Sequence, residues 1–170
     1  MKRVLYLSMI AMLATAVLFS CKKDDDDNTN ETGTGIIGEW YSSGDNVAPL
    51  LVTYFAVDSI YASFNENQTY LVESYDVTGV KTEYIGTFVQ TKSEVGDIYT
   101  IVLNQSAPSA VTSEGIFEVT MGEAGYDMMY EVVQMEPALG NSAPTPDGGF
   151  GSSNGGALGT INIQKYLKLN

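Results

Sequence analysis

Apolar and polar residues alternate from residue 58 onward, and this period of two constrains the chain more than any other feature, because it suits strands with one face buried and one in water. In "DSIYASF", residues 58–64, Ile60, Ala62 and Phe64 share a face, and Asn65–Gln68 make the turn. "TYLVESYDV" continues the pattern to a stop near Gly79. In "TEYIGTFVQ", Tyr84, Gly86 and Phe88 fall on one side and Ile85, Thr87 and Val89 on the other, before a turn around Gly96-Asp97. "IYTIVLN", "GIFEVTM", "DMMYEVVQ" and the closing "TINIQKYLKL" extend the series. No helix-length pattern separates these segments, so a parallel α/β sheet is disfavoured. The pattern reads as all-β, an up-and-down antiparallel barrel or sandwich, with a barrel of about eight strands as the expected form.

Two segments interrupt the rhythm. Val47, Leu50, Leu51, Tyr54 and Phe55 fall at helical spacing, with Asp45 or Asn46 available as a cap and Pro49 in the tolerated first turn. A short amphipathic helix over 46–56 is therefore expected; Val52–Phe55 also suit a buried strand, which is the competing reading. Residues 137–160 are crowded with Pro, Gly and Ser and read as a long loop, of the kind that often forms lids or binding elements. Phe150 is the one large aromatic among its glycines, placed either to contact a partner or to tack the loop to the barrel.

The start of the chain reads differently. Lys2 and Arg3 precede a 16-residue apolar and small-residue stretch, Val4–Phe19, which stops at Ser20-Cys21. That is a signal-peptide profile, and the stretch is short of the about 20 residues a bilayer-spanning helix needs. Leu18-Phe19-Ser20-Cys21 resembles the bacterial lipobox, except that Phe19 stands where a small residue is usual. The resemblance implies cleavage before Cys21 and acylation of that cysteine, and two or three acyl chains would anchor the protein essentially permanently. The following "CKKDDDD" resembles the export signal of surface lipoproteins of the Bacteroidota, which implies the outer face of the outer membrane. The expected organisation is a signal peptide at 1–20, a lipidated Cys21 with an acidic disordered tether at 21–35, and one domain at 36–170. From Cys21 to Ile36 the tether reaches roughly 50 Å when extended and about 20 Å as a coil.

Removal of residues 1–20 takes away Lys2 and Arg3, leaving six basic residues against 21 acidic ones, a formal charge of −15. That balance repels nucleic acid and anionic membrane surfaces. There is no histidine, and Cys21 is the single cysteine. Zinc sites built on His or Cys and Ser-His or Cys-His nucleophile pairs are thereby excluded. Glu118 and Glu131 read as outward-facing strand positions, no pair of carboxylates stands out for glycoside hydrolysis, and the acidic runs lack the spacing of a calcium loop. No catalytic residue, metal site or cofactor is expected.

At "IIGEWYSS" the chain reaches Gly38-x-Trp40, which resembles the signature of the lipocalins and the wider calycin-like barrels. "FNENQTY", residues 64–70, and "YIGTF", 84–88, resemble hairpins of lipocalin-like lipoproteins of the Bacteroidota. The resemblance implies a barrel whose closed end is sealed by Trp40, with Gly38 permitting a tight approach. The arginine that stacks across this tryptophan in better-known lipocalins has no counterpart beyond Arg3, and Lys165 is the expected partial substitute. "YDMMY", 126–130, is at best a faint echo of the second motif of that family.

Ten tyrosines lie beyond residue 20, and a barrel lined with them offers apolar faces carrying a hydroxyl. Tyr70, Tyr84, Phe88 and Tyr99 are the expected ligand-facing residues, with core filling as their competing role. The function this implies is a membrane-anchored module binding a small hydrophobic or carbohydrate-like ligand. The alternative is a protein-interaction or inhibitor module working through the 137–160 loop and the barrel rim.

Overall fold

The computed structural model describes residues 35–169. Cys21, the leader before it and the acidic run after it lie outside the described residues. Eight antiparallel strands, each paired with its sequence neighbour, close into one barrel. They are β1 (Gly38–Ser43), β2 (Val57–Phe64), β3 (Thr69–Asp76), β4 (Lys81–Lys92), β5 (Ile98–Ala107), β6 (Val111–Gly122), β7 (Gly125–Glu136) and β8 (Gln164–Lys168). Among the described residues one α-helix, α1 (Pro49–Phe55), lies between β1 and β2. Closure rests on a short β1–β8 pairing, Trp40 opposite Lys168 and Tyr41 opposite Leu167.

The register fixes the width of the barrel. Pairing partners traced from Trp40 through β2 and β3 reach β4 at Tyr84. Traced the other way, through β8, β7, β6 and β5, they arrive about 12 residues further along β4. Eight strands staggered by about 12 tilt more steeply and enclose a wider interior than the stagger of about 8 found in (β/α)8 barrels, whose centres are filled by side chains. Two inward glycines permit the strand curvature this requires. A Cβ on Gly86 would overlap the Asn104 carbonyl oxygen, and one on Gly115 would overlap that of Glu131.

Helix α1 is shorter than the expected 46–56 and uses neither Asp45 nor Asn46 as a cap. A 3-10 turn, Gly44–Asn46, precedes it, Ala48 is the N-cap without a side-chain bond, and Pro49 opens the first turn. Ala56, in the left-handed region at φ 53°, ends it. The capping task falls to a distant residue instead: the Gln164 amide accepts from the Ala48 N–H at 2.8 Å and donates to the Asn46 carbonyl at 3.1 Å and to Ser42 Oγ.

The long connection after β7 lies strapped to the outside of the barrel. Strand β8 pairs with β7 only over Asp127–Tyr130, so the upper half of β7 would present a bare edge. The connection supplies partners there, with the Asn141 and Asn162 amides donating to the Gln134 and Val132 carbonyls at 3.0 and 3.1 Å. It also covers Ile116, Glu131 and Val133, all outward in the strand alternation and all buried. Glu131 therefore departs from the solvent-facing role its position suggests. It is 0% exposed, and its carboxylate accepts from the Gly151 N–H at 2.6 Å and the Ser153 N–H at 3.1 Å. Phe150, just before this pair, is half-buried.

Two expected outcomes follow from this packing. Gly115→Ala should lower stability by about 3 kcal/mol in urea denaturation, since neighbouring backbone must shift, whereas Gly79→Ala, with open space around it, should cost about 1 kcal/mol from its positive φ alone. Glu131→Ala should remove the acceptor of two N–H groups, at about 1–3 kcal/mol each, and raise the rate of limited proteolysis within 140–163 ahead of global unfolding.

Candidate functional site: the barrel interior

Because the strands tilt, side chains at one height are displaced by about 1.5 residues per strand from direct pairing partners. On that basis the inward residues form three tiers. The lowest, at the end bearing the 65–68 and 93–97 turns, holds Trp40, Phe64, Tyr70, Phe88, Ile101, Phe117, Met128 and Tyr166, all buried. Phe64 contacts Tyr70 at 6.0 Å and meets Phe88 edge-on at 5.2 Å between centroids. The chain before β1 crosses beneath this floor. Ile36, 0% exposed, donates its N–H to Gln90 Oε1 at 3.1 Å and accepts from Trp40 Nε1 at 2.7 Å.

The residue that stacks on Trp40 is Lys168, not Lys165. Its Nζ lies 5.4 Å from the Trp40 ring and 5.5 Å from that of Tyr126. Strand parity explains the difference: Gln164, Tyr166 and Lys168 point inward, while Lys165 is exposed. Gly38, at φ 131°, clears the way, since a Cβ there would come within 2.8 Å of the Lys168 stem.

Above the floor the side chains shrink. Ser42, Ala62, Gly86 and Gly115 occupy most of the second tier, beside Val72, Leu103 and Tyr130. The third tier holds Ile60, Ser74, Tyr84, Gln105, Ser113 and Val132; all of them except Ile60 are half-buried although they point inward. The helix lead-in and Gln164 cover the β8–β1–β2 side of this end, and the β3–β7 side is the more accessible. An open hollow of about 340 Å³ at the same end is lined by residues of the β5–β6 hairpin, with Glu136 and Pro137.

Three phenols converge where the floor meets the small-residue tier. Tyr130 meets Tyr166 edge-on at 6.1 Å, and its hydroxyl also lies within the electrostatic reach of Tyr70. Burial pushes Tyr70 up to about 12 and holds Tyr130 and Tyr166 well above the ordinary phenol value, with no hydrogen bond contributing in any of the three. Among the described residues no fully buried side-chain nitrogen or oxygen lacks a partner. These partnerless hydroxyls therefore open onto accessible space. Tyr130 is half-buried as well as strongly desolvated, and both hold when that space lies inside the barrel.

The four residues singled out from the sequence all lie on inward-facing positions, in different places. Tyr70 and Phe88 belong to the floor, and Tyr84 to the upper wall. Tyr99 sits at the opposite rim, stacked on Phe117 at 5.0 Å with Lys92 Nζ 5.0 Å from its ring, and so is separated from Tyr84. The sequence reading missed Tyr130 and Tyr166, although the alternation in "DMMYEVVQ" and "QKYLK" carries their inward parity. Among the described residues no group of three or more His, Cys, Asp or Glu is arranged to hold a metal ion.

The class of protein these strands define is an all-β, lipocalin-like closed barrel of eight up-and-down strands with one short helix. No protein-family model, curated protein or solved structure matches the chain.

Alkaline titration provides a check on the interior. Phenols whose pKa is raised on folding stabilise the native state fully below about pH 10 and progressively less as pH climbs through their folded values, because the unfolded chain releases those protons first. Phenolate absorbance should thus show a late phase that coincides with loss of tertiary circular dichroism. Tyr130→Phe should shrink that late phase.

Proposed function

We propose that this protein is a non-catalytic binding module that takes a small hydrophobic or carbohydrate-like ligand into the upper barrel, and that it is held at the exterior face of the outer membrane by lipid on Cys21. The observation that carries the reading is the group of three partnerless phenols where the aromatic floor meets the tier of small residues. An interior hydroxyl without a partner costs free energy unless water or a ligand satisfies it, and the adjoining tier of small residues leaves room for either. The half-buried Val72, Tyr84 and Val132 add apolar wall, as ligand pockets generally have. The anchor is supported by the lipobox-like Leu18–Cys21 and the acidic run behind it.

A second reading, contact with another surface protein, draws on the outside of the same end. Tyr54 and Phe55 of α1 are 74% and 65% exposed. The α1 terminus is tied to the β3–β4 turn by the Val77 N–H donating to the Ala56 carbonyl at 3.0 Å, and Val77 and Val80 there are 67% and 61% exposed. This patch is a better candidate for contact than Phe150, which is half-buried in the strapped connection.

Native mass spectrometry of the protein from its own cells should show a retained small molecule that is lost in Ser113→Phe, a change that fills the upper wall without touching the floor. A well-folded native barrel that carries nothing, and takes up neither an apolar dye nor saccharides, would refute the binding reading. Fatty-acid labelling of the native chain, absent in Cys21→Ala, tests the anchor.

A further inference from the structure

Between the floor and the mouth the inward positions carry hydroxyls, amides and apolar groups, and no charged side chain. The two inward lysines lie outside that space. Lys168 covers Trp40 and Tyr126 on the floor side. Lys92 reaches Asp97 at 2.8 Å at the far rim. Of the acids, Glu136 lies exposed at the mouth, and those that make contacts are engaged elsewhere. Glu131 faces outward beneath the strapped connection. Glu73 and Glu83 hold Lys81 at 2.8 and 2.6 Å on the outer face of β3 and β4, and Asp76 is occupied by the Thr78 and Val80 N–H groups of its own turn. The upper amides are partly committed as well, with Gln105 and Gln134 donating at 2.8 Å to the Ser109 and Pro137 carbonyls.

From this we infer that the interior selects uncharged amphiphiles, molecules with an apolar body and a hydroxyl, ester or carbonyl head, over fatty-acid anions of the same length. The inference rests on the binding reading above and adds the chemistry of the head group. A carboxylate drawn into the upper barrel would meet no cation, and transfer of an unpaired charge from water into such a place is strongly unfavourable. The acidic surface adds long-range repulsion of anions approaching the mouth. A neutral head loses little on entry, since Tyr70, Tyr130 and Tyr166 can each donate a hydrogen bond to its oxygen.

The test is competition against an uncharged apolar fluorophore, N-phenyl-1-naphthylamine, on the full chain at about pH 8, where fatty acids are ionised and phenols are not. The competitors are 1-monooleoylglycerol and oleate, which share one acyl chain. The glyceride should displace the dye at a concentration about tenfold or more below that needed for oleate. Ser113→Lys, which puts a cation on the upper wall, should erase or invert that ratio. Equal or better displacement by oleate from the native protein would overturn the selectivity while leaving the binding reading intact. Failure of the dye and both lipids to bind at all would overturn the selectivity together with the hydrophobic-ligand form of the binding reading.

Discussion

The relation between strand number and stagger governs this structure. With eight strands staggered by about 12 residues the cross-section is wide, and the placing of bulky side chains decides which heights are filled. The sequence places that bulk at one end. Trp40, Phe64, Phe88 and Phe117 meet there at 3% exposure or less, with Ile36 beneath them, while Ala62, Gly86 and Gly115 occupy the tier above. The same glycines that let the strands bend also bring no side chain into the interior, so curvature and the thinning of the second tier have one cause. A bulkier residue at either glycine disturbs both.

Much of this was legible in the chain, and the parts that were not share a physical reason. Alternation in "DSIYASF" and "TEYIGTFVQ" identifies the inward faces of β2 and β4, because a strand with one wet face must alternate. The turn at Asn65–Gln68 and Pro49 at the first helical position were equally readable from local chemistry. Glu131 was not. Its parity is outward, and only the return of a segment about 20 residues later in the chain buries it, a non-local event that leaves no mark on the neighbouring sequence. The Ala48 N-cap escaped for the same reason, its amide partner being Gln164, far away along the chain. Lys168 differs: the parity of "QKYLK" distinguishes it from Lys165, but only once strand boundaries and the β1–β8 register are known.

Charged groups are confined by position in this molecule. The paired carboxylates serve the outer surface, the hairpin ends and the strap, and the two inward lysines, Lys92 and Lys168, lie at the floor end. The inward positions above the floor carry phenols, hydroxyls, amides and apolar groups. A neutral upper interior in a strongly acidic protein separates the charge of the outer surface from the polarity of the inner wall, and each can change without the other.

Strand β8 is only five residues long, yet its alternate side chains have three distinct duties. Gln164 fastens the helix lead-in, Tyr166 belongs to the aromatic floor, and Lys168 lies over the tryptophan. Without this segment the other seven strands would form an open sheet with β1 and β7 as unprotected borders, its base incomplete and its cover unfastened. Seam, base and cover therefore depend on the same five residues.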